Sequence, residues 1–429
     1  MTASTSPATT GSASRERIVV RDWKVPALLD AFAVVALLTG LFAGRPGEST
    51  FRLSTGSDLI QLPPLTVPTI GTVIAVGVAL VALAVAAHVF ALTGASGKVP
   101  LWLVIAFAAL FLFGFLAWAA AGKAIPVPGL LVGALALSTP LIFGALGGVI
   151  GERAGVVNIA IEGQLLLGAF SAAFIASLTG QPVLGLLAAM IGGLLVALVL
   201  AVFSITYLVE QVIIGVVLNV LVTGLTSFLY SKVLSTNAEL FNSPDRFPSL
   251  PIPLLSEIPI LGPVFFRQTI IVYIMYVAVF AVWYALFKTR WGLRTRAVGE
   301  HPTAADTVGI NVNRTRFWDV ALAGALVGLG GAYFTLDVVG TFNKEMTNGM
   351  GFIALAAVIF GRWHPIYATL AALLFGFASN LQSVLGIIGS PVPSEFMLML
   401  PYLVTIFAVA GLVGRSRAPA ADGTPYVKS

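Results

Sequence analysis

Cysteine is absent from all 429 residues. That excludes a disulfide framework, a thiolate metal site and a cysteine nucleophile. The three histidines, His88, His301 and His364, lie far apart in the sequence and form no metal pattern. Charge is scarce. Asp, Glu, Lys and Arg make up 10% of the chain, against about 25% in soluble domains. No Walker A loop is present. The nearest approach, Gly94-Ala95-Ser96-Gly97-Lys98-Val99, lacks the glycine spacing and ends in Val. No Gly-x-Ser-x-Gly elbow sits in a strand–turn–helix context. The chain itself therefore carries no catalytic residues, no metal site and no cofactor site, and has no phosphate loop for ATP. A net charge of +5 reads as loops facing the cytoplasm rather than as nucleic-acid binding.

What fills the sequence instead is apolar surface. Hydrophobic residues make up 58% of it, too much for one water-soluble core. A spanning helix needs roughly 20 mostly apolar residues. Such runs occur at 26–43, 69–94, 99–121, 129–150, 159–179, 183–208, 211–231, 268–288, 317–338, 364–386 and 395–414. They are continuously apolar, whereas barrel strands alternate over runs of about 10 residues. The fold class is an all-α polytopic membrane protein with about 10–12 transmembrane helices. A shorter run at 351–361 gives a helix about 16 Å long, too short to cross alone. It is a half-helix or part of a broken span, which a membrane tolerates only inside protein or beside a cavity.

Lys and Arg cluster at Arg15, Arg17, Arg21 and Lys24, again from Lys288 to Arg316, and at Arg415 and Arg417. The positive-inside rule places all three clusters, and both termini, in the cytoplasm. The Pro-rich stretch 232–267 then faces outward as a loop. Residues 1–24 and 415–429 read as loose polar tails, and the first apolar run begins too late for a signal peptide.

Polar residues inside apolar runs are the candidate functional groups. In run 211–231, Asn219, Thr223, Thr226 and Tyr230 recur at spacings of four, three and four, on one helical face. They line a wet path for a hydroxylated solute, or they bond helices together. Glu162 and Asn158 are four residues apart and share a helical face. A pair with Arg153 would lower the cost of burying Glu162. Glu162 then either anchors a turn at the cytoplasmic gate or touches solute. Ser379, Asn380, Gln382 and Ser383 read as an outer vestibule or a helix end. Asp30, His88 and Asp337 lie near span ends, where hydrated side chains are expected. Gly144, Gly147, Gly148, Gly151 and Gly155 read as close packing, and so do Phe143, Phe170 and Phe174.

The 289–316 connection holds a second candidate. Pro302 suits the first position of a short helix, Thr303 to Val308 follow, and Gly309 suits its C-terminal cap. It is either a solvated basic loop or a knob for a partner's groove.

Four segments, in order, resemble one family. They are Gly151 to Ser171, Arg296 to Ile310, Gly351 to Pro365, and Met399-Leu400-Pro401-Tyr402-Leu403. They are similar to signatures of ABC importer permeases in the nucleoside and simple-sugar branch, which are branched-chain amino acid permease-like. The nearest branch is that of purine-nucleoside importers. His301 and His364 stand where Asn is commoner, and Asp306 where Glu is common. The resemblance implies a non-catalytic permease subunit in a bacterial plasma membrane, with a core over 126–414 and a less similar helical segment over 25–125. It implies that Glu300, Pro302, Ala304, Ala305, Asp306 and Gly309 form a coupling helix inserted into an ATP-binding subunit. It further implies a second permease subunit, as heterodimer or homodimer, and a substrate-binding lipoprotein. The solute would be a nucleoside or a sugar. An ion-coupled secondary transporter is the alternative. It predicts a mid-membrane carboxylate and internal repeats, and the sequence offers no clear mid-membrane carboxylate.

Overall fold

The computed structural model describes residues 23–56, 58–93, 99–390, 392–393, 395–396, 399 and 417–428. Contacts divide the chain into two units, one from residues up to Ser49 and Val67–Gly122, the other from Thr50–Thr66 and Lys123 onward. Among the described residues, ten helices are long and apolar enough to cross a membrane. They match ten of the eleven long runs. The eleventh, 395–414, lies almost wholly outside the described residues.

The first unit is built from α1 (Lys24–Phe42), α2 (Thr69–Thr93) and α3 (Leu101–Ala119). Leu29, Ala33, Val76, Leu80, Leu103 and Phe107 form its core. Small residues set the spacing, as packed membrane helices require. A methyl at Gly77 would lie 3.0 Å from the Leu37 Cα, and one at Gly114 2.7 Å from Val76. Asp30 and His88 pair at 3.3 Å, so two of the span-end groups satisfy each other.

The second unit contains α4 (Val127–Arg153), α5 (Ile161–Thr179), α6 (Pro182–Ala201), α7 (Gln211–Leu229), α8 (Ala238–Phe241), α9 (Ile270–Lys288), α10 (Arg290–Glu300), α11 (Pro302–Thr307), α12 (Val312–Tyr333), α13 (Met350–Phe360) and α14 (Pro365–Ile387). π-helical turns extend α6 to Thr206, α7 to Leu234 and α12 to Val338. α12 is the central helix, packed on α4, α5 and α6. Of its apolar window 83% is buried, against 28% for α7. Its glycines make that possible. A methyl at Gly324 or Gly328 would overlap the facing α6, at Ala197 and Ala189 respectively.

The α4 glycine stripe is a packing surface too. Gly144 meets Ala354 of α13, Gly147 meets Val327 of α12, and Gly148 meets Val358 of α13. Phe143 is fully buried. Phe170 stacks on Phe174 and meets Phe342 edge-on. Asn380 donates to the Leu130 carbonyl at 2.7 Å, so it bonds α14 to α4.

Two expectations change. The 232–267 stretch is not simply a loop. It contains α8, and Ser249–Pro251 pairs antiparallel with Arg267–Thr269. Residues 417–428 are not loose, because Ala421 and Tyr426 are buried against α10, α11 and α12.

Candidate translocation site

The helix expected at 159 begins at Ile161, and residues 156–158 belong to no helix or strand. Asn158 is therefore not helical, and the shared face with Glu162 does not exist. Asn158 is fully buried and exchanges amide hydrogen bonds with Gln164, at 3.0 and 3.3 Å. The anticipated Arg153–Glu162 pair is absent as well. Arg153 lies 3.9 Å from Glu300 and donates to the Trp363 carbonyl at 2.9 Å. The seven residues after α4 carry Glu162 away from that guanidinium.

Glu162 is held by another element. Its Oε1 accepts from the Thr347 hydroxyl at 2.6 Å and the Gly349 N–H at 2.8 Å, and its Oε2 accepts from the Gly351 N–H at 2.6 Å. These donors belong to the N-terminus of α13, where unpaired N–H groups and the helix dipole favour a carboxylate. The geometry depends on glycine at two positions. Gly349 has φ +79°, and a methyl on Gly351 would overlap the Glu162 backbone. The short run thus forms a half-helix whose start is capped from α5.

Asn219 fixes the neighbouring wall. Its Oδ1 accepts from Gly163 N–H at 2.8 Å and its Nδ2 donates to the Ile159 carbonyl at 2.9 Å. It lies eight residues into α7, about 12 Å along the axis. The polar stripe of α7 then splits. Asn219 and Thr223 border a cavity of about 490 Å³, together with Glu162. Thr226 is fully buried and donates back to the Val222 carbonyl at 2.8 Å. Tyr230 sits in the π-turn, its ring 6.2 Å from Phe342 and 5.6 Å from the Lys344 ammonium. Neither borders the cavity.

Sequence reading missed half of that cavity: Glu345, Thr347, Asn348 and Phe352 line its far side. Glu345 and Asn348 both have positive φ, so the chain turns sharply before α13. The signal was there in Asn348-Gly349-Met350-Gly351, turn residues opening a helix too short to span. The lining is mixed. Two carboxylates, two amides and two hydroxyls share the lining with the half-exposed ring of Phe352, which suits a solute with hydroxyls and a flat face.

The 289–316 connection forms two helices where one was expected. α10 carries the chain off the end of α9, and a methyl on Gly299 would overlap the Arg153 carbonyl. α11 begins at Pro302 and ends before Gly309, whose φ is +84°. Ala305 faces inward, 4% exposed among Val298, Val312 and Tyr426. Asp306 lies 3.9 Å from the Lys428 ammonium. The free face is Ala304, Thr307 and Val308, the last 76% exposed.

Residues 130–409 match the family described as "Branched-chain amino acid transport system / permease component". The guanosine ABC transporter permease protein NupQ of Bacillus subtilis is 44% identical over 307 residues, covering 68% of this chain and 95% of that protein. The nucleoside ABC transporter permease protein NupC of Lactococcus lactis is 42% identical, covering 69% and 95%. A putative glucose ABC transporter permease of Haloferax volcanii is 36% identical, covering 59% and 77%. No solved structure matches. With well over half of its length matched, the chain belongs to the branched-chain amino acid transport system / permease component family.

Proposed function

We propose that this chain is the membrane-spanning permease subunit of an ATP-driven importer of nucleosides. The observation that carries the reading is the 44% identity over 95% of a guanosine permease. The cavity beside Glu162 supports it chemically, through hydroxyl and amide groups for a ribose and the Phe352 ring for a base. Asn219, Thr223 and Glu162 border the solute path. Asn158, Thr226 and Tyr230 brace the helices around it.

Energy comes from a separate ATP-binding subunit, which meets the exposed face of α11. Glu300, Pro302, Asp306 and Gly309 set the shape of that knob, and Ala305 anchors it from within. A second, related permease completes the pathway as a heterodimer, and a substrate-binding lipoprotein delivers the nucleoside. The Lys/Arg distribution puts both termini on the cytoplasmic side of a bacterial plasma membrane.

The test is uptake of labelled guanosine by proteoliposomes holding the complete importer. Accumulation is expected only with ATP and all partners present. Concentrative uptake by this chain alone, driven by a proton or sodium gradient, would contradict the proposal.

A further inference from the structure

The last described segment, 417–428, lies beyond the matched region of 130–409, yet it is bound tightly. Arg316 of α12, 2% exposed, donates to three carbonyls: Ala154 at the end of α4 at 3.1 Å, Thr424 at 2.8 Å and Ala421 at 3.4 Å. The Ala421 N–H donates to the Gly299 carbonyl at 2.9 Å, and the Ala420 N–H to Glu300 at 3.2 Å. Tyr426 packs with Val298, Ala305 and Val312, and Lys428 lies 3.9 Å from Asp306. The segment thus touches α10, α11 and α12, and through the Arg316 guanidinium it shares a partner with the end of α4.

Its other side leads to the cavity. Glu152 of α4 accepts from the Trp363 indole N–H, just after α13. Arg153 holds the Trp363 and Arg362 carbonyls. α13 in turn begins at Glu162. A continuous set of bonded groups therefore runs from α11 to the cavity floor. One polar pair and one small apolar cluster tie α11 to the segment, and the same cluster joins it to α10 and α12.

We propose that residues 418–428 are a strut that makes α11 and the α4–α13 corner move as one body, so that motion at the docking knob reaches the cavity. This inference rests on the reading of α11 as the contact for an ATP-binding subunit. The segment transmits the motion. It does not hold the partner, whose contact is the outer face of α11.

The experiment uses the complete importer in proteoliposomes and two variants. The first ends at Arg417. The second, Lys428→Glu with Tyr426→Ala, keeps the chain length and decides the matter if the truncated chain fails to accumulate. ATP-binding subunits are expected to co-purify normally and to hydrolyse ATP, while guanosine imported per ATP falls about tenfold, within the range of single-network coupling energies. Unchanged import per ATP would overturn the strut. Loss of the ATP-binding subunit from the variants would overturn it too, since the segment would then be a contact surface. Val308→Asp separates the underlying reading: it should abolish co-purification, and if it does not, the docking role of α11 fails whatever the strut does.

Discussion

The Glu162 carboxylate caps a helix that starts inside the second unit: its Oε2 accepts the Gly351 N–H at 2.6 Å, across 189 residues of sequence. Glu162→Gln replaces one acceptor with a donor that faces N–H groups. Hydrogen bonds to charged groups contribute about 1.5–3 kcal/mol each, so the detergent-solubilised chain should unfold several degrees lower. Gly351→Ala should cost a similar amount through overlap, about 1–3 kcal/mol. Thermal denaturation of both variants tests this. Unchanged midpoints would remove the cap from the account.

The α7 stripe yields two different outcomes from two substitutions. Asn219→Leu strands the Gly163 N–H and the Ile159 carbonyl, at roughly 1–3 kcal/mol of stability. Thr223→Val breaks no bond to another helix. It should leave the folded complex at wild-type yield and reduce guanosine uptake severalfold. Equal stability losses in the two variants would contradict this division of labour.

The fold was legible where the physics is one-dimensional. Length and hydropathy marked ten helices within a few residues of their ends, because a membrane imposes a thickness on each run. The α4 glycines were legible as a packing surface, whereas the period of the α7 stripe could not show that only Asn219 and Thr223 border the cavity. What failed was the shared helical face of Asn158 and Glu162, because the helix expected at 159 begins at Ile161. A non-helical stretch over 156–160 detaches Asn158 from Glu162, and nothing in Val156-Val157-Asn158 marks the break. The partners of Glu162 were invisible for a different reason. Thr347, Gly349 and Gly351 are some 190 residues away in sequence, and only the packing of α13 on α4 and α5 brings them in. The outward face of α11 was not legible in the sequence, because six residues carry too little periodicity to say which alanine points inward. Ala305 does, and Ala304 does not.

That difference can be measured. Ala304→Arg lies on the free face of α11 and should reduce co-purification of the ATP-binding subunit without lowering the melting temperature of the isolated chain. Ala305→Arg forces a charge among Val298, Val312 and Tyr426 and should destabilise the chain itself, since an unpaired buried charge costs several kcal/mol. Identical behaviour of the two would mean that α11 is rotated from its described orientation.

The bound C-terminal segment should respond to pH. Burial pushes the Asp422 carboxyl up to about 7, against the opposing pull of the Gly423 backbone N–H and the Arg316 guanidinium. Glu152 faces it from α4, and Glu300, Arg153 and the Asp306–Lys428 pair surround the segment. The bound segment keeps a proton that a released one gives up near pH 4. Binding is therefore strongest below about pH 4 and weakens as pH rises through about 7. A nitroxide on Val427→Cys should grow more mobile between about pH 5 and pH 8. Asp422→Asn should flatten that profile, and an unchanged profile in the variant would assign the effect elsewhere.

The cysteine-free sequence offers the most direct test of the central claim, that nucleoside passes the cavity between α5, α7 and α13. Thr223→Cys and Leu221→Cys place single thiols on and off the cavity wall, in the complete importer reconstituted with its partners. During ATP turnover, guanosine should slow maleimide labelling at position 223 and leave position 221 unaffected. Equal labelling rates at position 223 with and without guanosine would contradict the account.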